Sequence, residues 1–150
     1  MPPKYAYDLA DRVTQITYPS GRIVAYGYDT KGRVAQVNTK ASAGVPSWTM
    51  LASAMTYEPW GSLLTATMGN GLALAQVWTD GRLASKRLYN SSTSASLSYL
   101  GYAYDGNDNI DAITDQLTAA NSVYYGYDPN DRLTLTSLVT ATTPGAETYS

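Results

Sequence analysis

The chain has 150 residues, with ten Lys and Arg against twelve Asp and Glu and a net charge of −2. One domain with a sizeable core fits that length, and no basic excess is present to hold a phosphate backbone, so nucleic acid is not an expected partner. The absence of Cys and His excludes disulfides, thiolate or imidazole catalysis and the usual metal and haem ligand sets, while fourteen Tyr favour a folded, strand-rich chain.

The first predicted unit opens at Tyr5-Ala6-Tyr7-Asp8, turns at Asp11-Arg12-Val13, and runs as a strand over residues 12–18 to a reversal at Pro19-Ser20-Gly21. A strand over residues 22–28 ends in Tyr26-Gly27-Tyr28-Asp29, which opens the second unit; Gly32-Arg33-Val34 and a longer loop at residues 40–47 follow. The third is degenerate: Met55-Thr56-Tyr57-Glu58, then Gly61-Ser62-Leu63, a strand over 62–67, and the turn Met68-Gly69-Asn70-Gly71. A strand over 72–78 carries the fourth copy, Gln76-Val77-Trp78-Thr79, before Gly81-Arg82-Leu83 and a loop at 90–96. The fifth reads Tyr102-Ala103-Tyr104-Asp105, then Asp108-Asn109-Ile110 and a loop at 118–122. The sixth reads Tyr125-Gly126-Tyr127-Asp128, then Asp131-Arg132-Leu133 and a loop at 141–147.

The second aromatics fall at positions 7, 28, 57, 78, 104 and 127, spaced by 21, 29, 21, 26 and 23 residues. Residues 1–150 thus read as one array of six strand-turn-strand-turn units, about eleven or twelve antiparallel strands in all. The turn position holds only Gly or Asp, the types that tolerate a left-handed backbone, so φ > 0 is expected there. The Asp four residues before each strand can accept from turn N–H groups as an Asx turn does. One aliphatic per unit at one register, Val13, Val34, Leu63, Leu83, Ile110 and Leu133, predicts a packed layer through the stack. No apolar run reaches the ~20 residues of a membrane-spanning helix, and Met1-Pro2-Pro3-Lys4 leads into no signal-peptide core, so export is expected only as part of something larger.

Tyr-x-Tyr-Asp followed by Gly-Arg-aliphatic every twenty-odd residues resembles the YD repeat, also called the Rhs repeat. Tyr26-Gly27-Tyr28-Asp29-Thr30-Lys31-Gly32-Arg33-Val34 is a close match, and residues 104–115 are similar to the Asn-Ile variant. The resemblance extends over residues 5–140, to bacterial Rhs and wall-associated polymorphic toxins, the C component of insecticidal toxin complexes, and teneurins. It implies an all-β fold, with tandem antiparallel hairpins in a curved or spiralling sheet that forms part of a β-shell. In the toxins such a shell encloses a C-terminal effector, so the chain is expected to be secreted or surface-exposed wall, with neighbouring repeats and an enclosed toxin domain as partners. Six units are far fewer than a closed shell uses, which predicts a segment whose open sheet edges self-associate by edge pairing or hairpin exchange.

The motif residues Tyr7, Asp8, Tyr28, Asp29, Gly32, Arg33, Tyr57, Glu58, Gly61, Trp78, Gly81, Arg82, Tyr104, Asp105, Tyr127, Asp128 and Arg132 are read as structural, because they recur in every copy while a ligand site needs one. Tyr and Trp faces beside Asp also suit a sugar, so carbohydrate or cell-surface adhesion is the alternative; Trp60, between Pro59 and Gly61, is the candidate ligand contact. Asp105, Asn107, Asn109 and Asp111 alternate as in a calcium loop, but Ile110 and Gln116 stand where that loop needs Gly and Glu. No carboxylate pair is marked out for glycoside hydrolysis, and no catalytic residue, metal or cofactor is assigned. Arg12, Arg33, Arg82 and Arg132 are expected to pair with Asp8, Asp29, Asp80 and Asp128 across their turns.

Overall fold

The computed structural model of the chain describes residues 2–138 and the backbone of Gly145–Thr148. The chain divides into two compact units, Met1–Ala73 and Leu74–Ser150. The first contains β1 (Lys4–Tyr7), β2 (Val13–Thr17), β3 (Ile23–Tyr28), β4 (Val34–Lys40), β5 (Thr49–Tyr57) and β6 (Leu63–Met68), each antiparallel to the next. The strand β7 (Leu72–Thr79) runs across the division. The second unit holds β8 (Arg82–Asn90), β9 (Ser96–Tyr104), β10 (Ile110–Asp115), β11 (Val123–Tyr127), β12 (Leu133–Leu138) and β13 (Gly145–Thr148), again antiparallel in chain order. One 3-10 turn, Ala119–Asn121, lies between β10 and β11.

The all-β antiparallel reading therefore holds, with thirteen strands among the described residues against the eleven or twelve expected. The additional strand corrects the loop expected at residues 141–147. Gly145 to Glu147 pair with Leu138 to Thr136, because β12 offers a free ladder edge that outweighs the turn-like composition. Residues 141–144 of that expected loop lie outside the described residues. No helix among the described residues is long and apolar enough to cross a membrane.

Backbone sign is what the turn residues supply. Asp11, Gly32, Gly61, Gly81, Asp108 and Asp131 have φ of 57°, 81°, 102°, 79°, 69° and 59°, so all six turn positions are left-handed as their composition predicts. At Asp8, Asp29, Glu58, Asp105 and Asp128 the reversal is a three-residue loop. The slot residue accepts from the turn residue's N–H at 3.0–3.3 Å and donates to the carbonyl beyond it at 2.8–3.0 Å. The fourth copy differs: Asp80 is left-handed as well (φ 51°), making a two-residue Asp-Gly turn after Thr79.

Burial is shallow. The buried apolar side chains are Ile23, Ala66, Ala73 and Ala112, and no side chain among the described residues is below 2% exposed. The predicted aliphatic layer is half-buried, and Leu133 is 41% exposed. The backbone carbonyls of four of these positions, Val13, Val34, Leu83 and Ile110, accept side-chain hydrogen bonds.

Candidate functional site

Each motif aspartate organises its own turn. Asp29 Oδ1 accepts from the N–H of Lys31 (2.8 Å) and Arg33 (2.9 Å), and its Oδ2 accepts from Arg33 Nε (2.9 Å) and pairs with Nη2 (2.9 Å). Asp8 does the same with Ala10 and Arg12, and Asp128 with Asn130 and Arg132. Asp105 caps Asn107 and Asn109, with Asn109 Nδ2 taking the place of the guanidinium at 3.1 Å. The short Asp side chain suits this Asx geometry; the longer Glu58 makes no such side-chain cap among the described residues, although its main-chain turn is kept. All four aspartates are held below the ordinary carboxylate pKa. The leading cause is the Arg12 side chain at Asp8, the Arg33 backbone N–H at Asp29, the Asn109 side chain at Asp105 and the Arg132 side chain at Asp128.

A second set of contacts joins each repeat to the one before it. The phenol of Tyr28 donates to the carbonyl of Val13 (2.6 Å), Tyr57 to Val34 (2.6 Å), Tyr104 to Leu83 (3.0 Å) and Tyr127 to Ile110 (3.0 Å). The arginine preceding each of the first three carbonyls lies over the same ring. Arg12 Cζ is 4.6 Å from the Tyr28 centroid, Arg33 Cζ 4.8 Å from Tyr57, and Arg82 Cζ 5.3 Å from Tyr104. Aspartate, arginine, tyrosine and carbonyl thus form one rung spanning two repeats. Trp78 occupies the same register on β7 and is half-buried.

The arginine pairing expected at Arg12, Arg33 and Arg132 is observed, but that at Arg82 is corrected. Arg82 bonds Asp108, the turn residue of the following repeat, and not Asp80. The physical reason is the two-residue turn. It puts Thr79 in the slot where the other arginines find a carboxylate. Asp131 is reached in the same inter-repeat sense by Asn107 Nδ2 (2.9 Å) and Asn109 Nδ2 (2.8 Å). Asp105, Asn107, Asp108 and Asn109 of the calcium-like stretch are thereby engaged with one another, with Asp131 or with Arg82. No cluster of three or more metal-ligating side chains occurs among the described residues.

Trp60 is 59% exposed at the tip of the Glu58–Gly61 turn, and Trp48 is 42% exposed beneath the Lys40 ammonium, 4.7 Å from its ring. Sequence reasoning missed the cluster at Arg87. Its guanidinium lies 4.7 Å from the Tyr89 ring and 5.9 Å from Tyr99, bonded to Ser96 Oγ and the Ser94 carbonyl at 2.7 Å each. The cross-strand register Arg87–Tyr99 creates that cluster, and register across a loop is not written in the sequence. A shallow hollow lined by Thr79, Arg82, Ala84 and Tyr102–Tyr104 contains one charged group, already bonded to Asp108. These arrangements order backbone; they do not set a nucleophile against a base.

Residues 6–43 match the family model described as RHS Repeat, which bears out the resemblance carried by the Tyr-x-Tyr-Asp motifs. No curated protein sequence matches the chain. Among solved structures the chain is similar to the Photorhabdus luminescens Tc holotoxin pore with a mutated TccC3, at TM-score 0.83 and 20% identity, covering 91% of this chain and 7% of that one. The crystal structure of TcdB2–TccC3 without its hypervariable C-terminal region gives TM-score 0.83 and 20% identity over the same shares. TcdB2–TccC3–TEV gives 0.83 and 19%, covering 90% of this chain and 7% of that one. The fold is shared with those proteins, and the chain spans about 7% of their length.

Proposed function

We propose that residues 1–150 form one YD-repeat array, a non-catalytic wall segment of a secreted, bacterial Rhs-like toxin whose shell encloses a C-terminal effector. The observation that carries this reading is the rung. Asp, Arg and Tyr, the side chains most able to do chemistry or bind ligand, spend their polar atoms on turn N–H groups and on carbonyls of the adjacent repeat. The fold shared with TccC3-containing chains supports a wall, and the hypervariable C-terminal region of TcdB2–TccC3 supports a cargo beyond it. Neighbouring repeats of the parent are then its first partners.

The test is limited proteolysis of the parent protein. The polypeptide C-terminal to the array should resist cleavage while the array is intact. It should become cleavable when Tyr28→Phe and Tyr57→Phe loosen successive rungs. Equal cleavage in both proteins overturns enclosure.

One observation favours a second reading, adhesion to carbohydrate: Trp60 presents 59% of its surface at the tip of the Glu58–Gly61 turn. Saturable binding on a glycan array, lost in Trp60→Ala, would establish that role. A blank array rejects it.

A further inference from the structure

We propose that the Asp80-Gly81 turn is a self-modification site, where the main chain rearranges through a cyclic imide to an isoaspartyl linkage. The chain holds two Asp-Gly pairs, Asp80-Gly81 and Asp105-Gly106, and one Asn-Gly pair, Asn70-Gly71. Imide closure needs a main-chain nitrogen as nucleophile and the preceding side-chain carbonyl carbon as electrophile. Glycine leaves that nitrogen unshielded by a side chain of its own. The three pairs differ in what holds those two groups.

At Asp105 the electrophile is taken. Its Oδ1 accepts from the N–H of Asn107 and of Asn109 at 2.9 Å each, and its Oδ2 from Asn109 Nδ2 at 3.1 Å. These donors, led by the Asn109 side chain, favour the charged carboxylate, which has no hydroxyl to lose. At Asn70-Gly71 both groups are engaged. The Gly71 N–H donates to the Met68 carbonyl at 3.0 Å, and Asn70 Oδ1 accepts from the Leu72 N–H at 3.1 Å.

Asp80-Gly81 has neither restraint. Both residues are exposed, and the Asp80 carboxylate makes no hydrogen bond or ion pair among the described residues, because Arg82 bonds Asp108 instead. The Gly81 N–H is likewise without a partner among them, whereas the N–H of Asp11, Gly32, Gly61, Asp108 and Asp131 each closes its own turn. The two-residue turn is the cause. With φ of 51° at Asp80 and 79° at Gly81, it joins its strands without using that N–H. Nothing beyond its chain neighbours lies within 4 Å of where a Gly81 Cβ would stand.

The Gly81 nitrogen attacks Asp80 Cγ while the carboxyl is protonated. The N–Cγ bond forms, and the amide proton and the carboxyl hydroxyl leave as water. Water then reopens the ring. Attack at Cγ restores aspartate; attack at the Asp80 main-chain carbonyl breaks its bond to Gly81 and leaves the chain joined through Cγ. The product is an isomer, with one additional methylene in the turn and the former main-chain carbonyl carbon as a carboxylate. A lengthened turn no longer has the geometry that aims Arg82 at Asp108.

The test is ageing of the whole folded chain in heavy-oxygen water at neutral pH and physiological temperature, then proteolysis and electron-transfer fragmentation. Ring opening at Asp80 inserts one solvent oxygen at unchanged charge, while deamidation at Asn70 also turns an amide into an acid. Isoaspartyl product should accumulate at Asp80 at least about fivefold faster than at Asp105. In urea that unfolds the chain, the rates at the two Asp-Gly pairs should converge and deamidation at Asn70 should accelerate. Equal rates in the folded chain, faster conversion at Asp105, or a preference for Asp80 that survives unfolding overturns the proposal. So does a folded chain with no solvent oxygen at Asp80 after the unfolded chain has converted.

Discussion

The phenol of Tyr57 donates to the carbonyl of Val34 across 23 residues of chain at 2.6 Å, beneath the guanidinium of Arg33. Tyr57→Phe keeps the ring and its stacking but leaves a half-buried carbonyl without that donor. The expected cost is about 0.5–1.5 kcal/mol, read as a lower urea midpoint at unchanged slope. An unchanged midpoint would show that solvent replaces the bond and that the rung is not a strut.

Acid should loosen the turns. The carboxyls of Asp8, Asp29, Asp105 and Asp128 are held below their ordinary pKa by N–H donors that favour the charged form. A depressed folded pKa gives stability that is present above the unfolded value, about 3.9, and is lost as pH falls through the folded one. Circular-dichroism melts should therefore hold steady near neutrality and fall steadily below about pH 4. Asp29→Asn should melt lower at neutral pH and lose less on acidification. Parallel curves for the two proteins would dismiss this account.

Ala54 is the one described alanine with a left-handed backbone, φ 51°, at a bulge where β5 and β6 lose register between Ser53 and Thr56. A Cβ in that conformation costs about 1–2 kcal/mol, while glycine costs about 0.5–1 through the freedom of its unfolded chain. Ala54→Gly should thus stabilise by about 0.5–1 kcal/mol in chemical denaturation. Destabilisation would mean that the Ala54 methyl packs more than its strain costs.

Gly69 shows the opposite constraint. A Cβ there would come within 1.9 Å of the Met50 carbonyl oxygen, while the Gly69 N–H donates to Leu51 at 2.9 Å. Backbone cannot yield as a side-chain tip does, so Gly69→Ala should cost about 1–3 kcal/mol. A smaller loss would require the Met68–Gly71 turn to shift away from β5.

Legibility in the sequence followed from what each contact demands of residue type. A positive φ admits few residues, so Asp11, Gly32, Gly61, Gly81, Asp108 and Asp131 declared their turns by composition. Asx caps demand a short carboxylate at a fixed offset, and Asp8, Asp29, Asp105 and Asp128 were equally plain. The tyrosine rungs were hidden because their acceptor is a main-chain carbonyl, which carries no residue identity. Arg82 misled for a related reason: Asp80 is near in sequence, but one residue fewer in the turn re-aims the guanidinium toward Asp108. The strand at Gly145–Thr148 was obscured by turn-forming neighbours, since a ladder bond asks nothing of the side chain.

Within each unit every observed strand pairing joins consecutive strands, and the side-chain rungs reach back only one repeat. Loop closure is correspondingly cheap at every step. A nascent chain can consolidate each hairpin as it emerges and zip the next one onto it, without waiting for distant residues. Folding of this kind is vectorial: its rate should depend on how quickly a single hairpin nucleates, and hardly at all on how many follow.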